Sequence, residues 1–301
     1  MKNNTTKAVL LSLVVMALWG SLFPMVKIGY RAFGISSDSI PDILMFASFR
    51  FVISGFAVCA FSFFRKEKLA VPIKKSILNI YIMGLFSIVL HYTFTYVGLS
   101  VTDSSKTALI KQLGALIYVC FAFLFFKGEK FSFLKILGAI IGFSGIISIN
   151  YGPGGICFSV GDALIICASV CTVIANVIGK KSTMGNSSLW ITGISQFAGG
   201  IILFVAATVM GAELLTFTRK SAGVFLYICT ASIVAYTLWY YVMKTSSLSK
   251  LFIIKFSEPL FACLFGAVLL GENILKIQYL VAFILISTGI VLGNCGEKNK
   301  S

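Results

Sequence analysis

Ten apolar runs joined by short connections dominate this chain of 301 residues. Their limits are Ala8–Gly29, Ile43–Phe64, Ile77–Leu99, Thr107–Phe126, Leu134–Ile149, Gly161–Gly179, Leu189–Met210, Gly223–Met243, Leu248–Leu270 and Ile277–Leu292. A helix needs about 20 mostly apolar residues to cross a bilayer, and backbone in lipid must satisfy its own hydrogen bonds. The runs therefore predict an all-α integral membrane protein with ten transmembrane helices. The first run follows MKNNTTK and could pass for a secretory signal, but its length, Trp19 and the lack of a small-residue cleavage site make it the first span. Only 12% of residues are charged, about half the share in a soluble domain. That excludes a soluble enzyme, a disordered chain and a nucleic-acid-binding module, although the formal net charge is +15.

The surplus of lysine and arginine is unevenly distributed. If the N-terminus, alternate loops and the C-terminus share one side, that side holds Lys2, Lys7, Arg65, Lys66, Lys68, Lys74, Lys75, Lys127, Lys130, Lys135, Lys180, Lys181, Lys244, Lys298 and Lys300. The other side holds Arg219, Lys220 and Lys276, with Arg31 and Lys106 at span edges. Cytoplasmic loops carry the excess of basic residues, so both termini are expected in the cytoplasm. This fits an even number of spans.

The chain also repeats itself. A shift of 143 positions lays Ser104 on Ser247, Cys120 on Cys263, Gly128 on Gly271, Glu129 on Glu272, Leu137 on Leu280 and Ser144 on Ser287. Each copy then has five spans. Five is odd, so the second copy must enter the membrane the other way round. The expected architecture is two inverted five-helix repeats, residues 1–150 and 151–301, with a substrate site between them near the midplane.

Charges inside spans are costly and mark function. The candidates are Lys27, Arg50, Lys111, Lys250, Lys255 and Glu258. Lys27 and Arg50 lie toward the outer surface, where they either snorkel to the headgroups or line a cavity mouth. Lys111 and Lys255 enter from opposite sides, and the 143 shift brings them within one position of each other. Two inward cations suit a carboxylate or phosphate, unless each simply pairs with an acid or snorkels. Glu258 lies three residues after Lys255, on the same helix face, and either pairs with it or accepts a proton. Pro259 and Pro24 each remove a backbone donor and predict a bend or break. Gln112, Tyr92 and Trp239 are further cavity candidates. His91, the only histidine, reads as an interhelical hydrogen bonder. Glu129 and Glu272 read as helix-end structure. The eight cysteines form no CxxC pair and read as small apolar fillers, with no metal site. No catalytic or cofactor signature is present.

ALWGSLFPMVKIG at 17–29, Phe49-Arg50-Phe51, the stretch 102–130 ending in Gly-Glu-Lys, and 246–273 with its Glu-Pro step and second Gly-Glu resemble the drug/metabolite transporter superfamily, in its EamA-type ten-helix form. The resemblance implies alternating access to a central cavity in a bacterial-type cytoplasmic membrane. It also implies that Lys27, Arg50 and Glu258-Pro259 serve fold or gating, since they fall on common motif positions. The fourth helix often carries proline where this chain has Leu116, so only the ninth span is expected to be interrupted. Related organic-phosphate and nucleotide-sugar carriers use basic cavity residues. The expected function is secondary-active export of small metabolites, anionic or zwitterionic, driven by exchange with a counter-substrate or by protons. The remaining partners are membrane lipids. A lipid-modifying membrane enzyme and a channel or scaffold are the alternatives.

Overall fold

The structure, a computed structural model, describes residues 2–68, 73–121, 133–149, 151–152, 155–156, 158–183, 185–245, 251, 254–255 and 257–298. Its helices are α1 (Lys2–Phe33), α2 (Ile40–Phe64), α3 (Ile73–Gly84), a π-helical turn (Leu85–Leu90), α4 (His91–Ser100), α5 (Ser104–Ile110), α6 (Leu113–Phe121) and α7 (Phe133–Ile149). A two-residue hairpin, β1 (Tyr151–Gly152) and β2 (Gly155–Ile156), pairs Tyr151 with Ile156. Then come α8 (Val160–Ser182), α9 (Ser188–Val209), α10 (Arg219–Thr245), α11 (Ser257–Leu270) and α12 (Ile277–Lys298).

Six continuous helical stretches are long and apolar enough to cross a membrane: Lys7–Phe33, Ile40–Phe64, Lys74–Ser100, Val160–Ser182, Ser188–Val209 and Arg219–Lys244. The third of these runs unbroken through α3, the π turn and α4. The fourth expected span is divided between α5 and α6, the ninth contains α11, and α7 and α12 supply the fifth and tenth. The fold is therefore that of a multi-pass helical membrane protein with about ten helices. Phe56, Phe63, Val209 and Val268 stand exposed on outer faces, as side chains meeting lipid must.

Packing follows the internal repeat. Helix α2 lies against α9, its counterpart under the 143 shift, and α7 lies against α12, likewise its counterpart. The α1–α10 contact is mirrored by α8 against α4 and α3, and the α1–α11 contact by α8 against α6 and α5. Close approach at these seams needs glycine. A Cβ on Gly55 of α2 would come within 2.6 Å of the Phe197 Cα in α9. One on Gly20 of α1 would meet Phe261 Cβ at 2.6 Å and the Glu258 carbonyl at 3.0 Å. Small residues that let backbones touch are the usual adhesive between helices in lipid.

The fourth span is broken, contrary to the expectation drawn from Leu116. Between α5 and α6 the bonds shorten to three-residue spacing, with Gln112 N–H donating to Leu109 (3.1 Å) and Gly114 N–H to Lys111 (3.1 Å). No proline is needed because α8 supports the turn: Ser169 Oγ donates to the Lys111 carbonyl at 3.5 Å. A Cβ on Gly114 would stand 3.0 Å from the Ser169 carbonyl. In the ninth span the turn falls at Lys255, where Glu258 N–H donates to the Lys255 carbonyl at 3.1 Å. Pro259 sits in the first turn of α11, where a missing N–H leaves nothing unsatisfied. The two turns occupy matching places in the repeat. Helix α1, by contrast, runs through the buried Pro24 without interruption.

Candidate functional site

A cavity with about 730 Å³ of empty space, its mouth included, lies where these turns face each other. Helices α1, α2, α4, α8, α10 and α11 wall it, together with Lys111 and Lys255. Both halves of the chain contribute. Its charged lining is Arg50, Lys111, Lys255 and Glu258, set among Trp19, Phe23, Tyr92, Tyr96, Tyr236 and Trp239.

Arg50 does not snorkel. It is fully buried at 0% exposure, because a large apolar bundle surrounds the middle of α2. Its Nε donates to Ser232 Oγ at 2.6 Å, and Nη1 donates to the Tyr96 hydroxyl. Its guanidinium carbon lies 4.8 Å from the Phe51 ring centre and 5.1 Å from that of Tyr92. Tyr92 in turn accepts from the Tyr236 hydroxyl at 3.0 Å.

Lys111 projects from the first turn, its Nζ 5.0 Å from the centre of the Phe23 ring. It also lies 3.4 Å from His91 Nε2. His91 is fixed on its other edge, with Nδ1 3.1 Å from the Ala168 carbonyl and 2.8 Å from Thr172 Oγ1. The π turn immediately precedes His91 and Tyr92, and such turns often mark functional positions. Lys255 projects from the second turn, with Nζ 5.5 Å from Trp19 and 5.9 Å from Trp239. The Glu258 carboxylate attracts both lysines. Its Oε2 is buried without a hydrogen-bond partner. Trp239 Nε1 donates to Asn176 Oδ1 at 3.0 Å.

Of the substrate-binding candidates, Lys111, Lys255, Glu258, Tyr92 and Trp239 thus lie on the cavity wall. Gln112 does not: it is buried behind the wall with its amide unpartnered. Lys27 is half-buried off the cavity, near the carboxylates of Glu272 and Asp103. Glu272 accepts from the Ser104 N–H (2.9 Å), the Ser105 N–H (3.0 Å) and the Ser105 hydroxyl (2.7 Å). It thereby caps α5 from the other half of the chain. Burial pushes its carboxyl pKa up, but these hydrogen bonds outweigh that and hold it below the usual value. Glu129 lies outside the described residues. Nothing in the sequence assigns Trp19, Phe23, Thr172, Tyr236 or Ser232 to a role at this site. Only their contacts with residues distant in the chain give them a role. Among the described residues no group of His, Cys, Asp and Glu could hold a metal ion.

A family profile for EamA-like transporters matches residues 6–151 and 159–294. The chain belongs to the EamA-like transporter family. It is similar to the uncharacterized inner membrane transporter YedA of Escherichia coli, with 26% identity over 93% of this chain and 88% of that protein. It is also similar to an uncharacterized transporter of Archaeoglobus fulgidus, at 24% identity over 89% of this chain and 91% of the relative. The uncharacterized transporter YvbV of Bacillus subtilis is 24% identical over 98% of this chain and 93% of its own length. A solved crystal structure shares the fold, with TM-score 0.68 at 16% identity, covering 98% of this chain and 99% of that one. These likenesses point to a small-molecule transporter in a membrane and away from an enzyme.

Proposed function

We propose that this EamA-like transporter is a secondary-active carrier that exports small anionic or zwitterionic metabolites across the cytoplasmic membrane. Residues 1–150 and 151–301 act as inverted repeats that rock against each other around the cavity, with both termini in the cytoplasm. The observation that carries this reading is the cavity itself. It is walled by both halves at two interrupted spans, where irregular backbone at membrane depth is tolerated because it lines a site. Lys111 and Lys255 bind the acidic part of the substrate. Tyr92 and Trp239 pack on its body. Glu258 balances the lysines and takes up the proton where a pH gradient drives transport; otherwise a counter-substrate is exchanged. Pro24, Lys27, Arg50, Pro259, Glu129 and Glu272 shape the helices and their gates.

The test is transport by the purified chain in proteoliposomes against amino acids, organic phosphates, nucleosides and cationic dyes, with and without a pH gradient. Lys111→Ala and Lys255→Ala should each abolish transport of an anion while the protein still elutes as a folded species. Unchanged transport by both variants rejects the assignment.

A further inference from the structure

We infer that Arg50 is a third anion-binding residue of this cavity beside Lys111 and Lys255, and that the transported molecule is a small organic acid whose carboxylate or phosphate docks on it. The inference rests on the carrier reading and goes beyond it. It gives a binding role to a residue that sequence reasoning left to fold or gating, and it narrows the substrate to a net anion.

Arg50 is a cavity cation whose hydrogen-bond and ring partners are all neutral. Ser232 and Tyr96 hold two of its nitrogens, but neither oxygen carries a charge to balance the guanidinium. The nearby Phe51 and Tyr92 rings favour a cation without neutralising it. No carboxylate among the described residues forms an ion pair with it. Its third nitrogen, Nη2, is buried and has no hydrogen-bond partner, although the residue lines the cavity. A fully buried, uncompensated charge is strongly unfavourable unless a counter-charge arrives. Glu258 lies on the same wall but forms no ion pair with Arg50. Trp19 Nε1, also buried, unpartnered and on the wall, offers a second N–H donor. The cavity thus has three cations to one carboxylate. That excess repels a cationic solute and favours a net anion over a zwitterion, whose ammonium has Glu258 alone to meet. A guanidinium fixed along one edge is suited to carboxylate or phosphate oxygens.

The experiment uses the full chain in nanodiscs and in proteoliposomes. The probes are succinate, benzoate, phenyl phosphate, alanine and tetraphenylphosphonium, read by quenching of cavity tryptophan fluorescence and by uptake of labelled probe. The expected result is saturable binding and uptake of at least one carboxylate or phosphate, with alanine and tetraphenylphosphonium excluded. The carboxylate and phosphate arms show which acidic group is preferred. Arg50→Gln should weaken binding of that anion roughly tenfold to a hundredfold, and Arg50→Lys should restore it in part. If Arg50→Gln does not fold, Tyr96→Phe takes its place, with a loss of about threefold to tenfold expected from freeing one edge of the guanidinium. Uptake of alanine or tetraphenylphosphonium without any anion overturns this inference and leaves the carrier reading standing. So does anion affinity unchanged in the folded Arg50 variant or, in its stead, in Tyr96→Phe. Failure of every probe to bind or move overturns both.

Discussion

His91 links two elements through one ring. The Ala168 carbonyl can only accept, so Nδ1 carries the hydrogen and Nε2 offers its lone pair to the Lys111 ammonium. His91 is thus a positioning residue for Lys111. Glutamine at this site keeps an acceptor and leucine does not. His91→Leu should raise the KM for a transported anion roughly threefold to tenfold at near-constant maximal rate, and His91→Gln should recover much of the loss. Proteoliposome uptake kinetics check this. The Glu272 carboxyl has a lowered pKa in the folded protein. Its stabilising contribution is therefore fully present above the unfolded value, about 4.3, and disappears as pH falls through the folded value. Glu272→Gln should cost roughly 1–2 kcal/mol at neutral pH, the worth of a helix cap. The gap in thermal midpoint between wild type and variant should narrow once pH drops below about 4. A gap that is constant from pH 7 to pH 3 would count against a charged cap. The isolated charges were legible as candidates because each interrupts an apolar run. Their partners were not, since Ser232, Tyr96 and Thr172 approach from spans far away in the chain.

Helix limits were readable because the demand of lipid is local: each span must be long enough and apolar enough by itself. The expected ranges accordingly fall within a few residues of α1, α2, α7, α8, α9 and α10. Pro259 likewise announced the interruption of the ninth span. The break at Lys111 was hidden because its cause is tertiary. It rests on the Ser169 hydroxyl reaching the Lys111 carbonyl, which also accepts from Gly114 N–H, and on Gly114 letting α8 come close. The π turn at Leu85–Leu90 left no signal in the sequence either. Gly20 shows how an element seam supports the site, since it presses against the start of α11, which carries Glu258. Gly20→Val should destabilise the protein by about 1–3 kcal/mol through overpacking. The variant should also transport more slowly, because α11 and its carboxylate are pushed off α1. Thermal unfolding in detergent, paired with uptake, measures both effects.

At the scale of the whole molecule, counterpart helices meet each other along the central seams, α2 with α9 and α7 with α12. The cavity draws its wall from both halves, so neither half alone has a complete site. The connection between them near the Tyr151–Ile156 hairpin divides no helix. The gene could therefore be cut there and expressed as two polypeptides. Each fragment should insert into the membrane and be inert by itself. Produced together, they should find one another through those seams and regain uptake, which co-purification through a tag on one fragment would reveal. Regained uptake would mean that this protein owes its unity to recognition between its halves more than to the peptide that joins them.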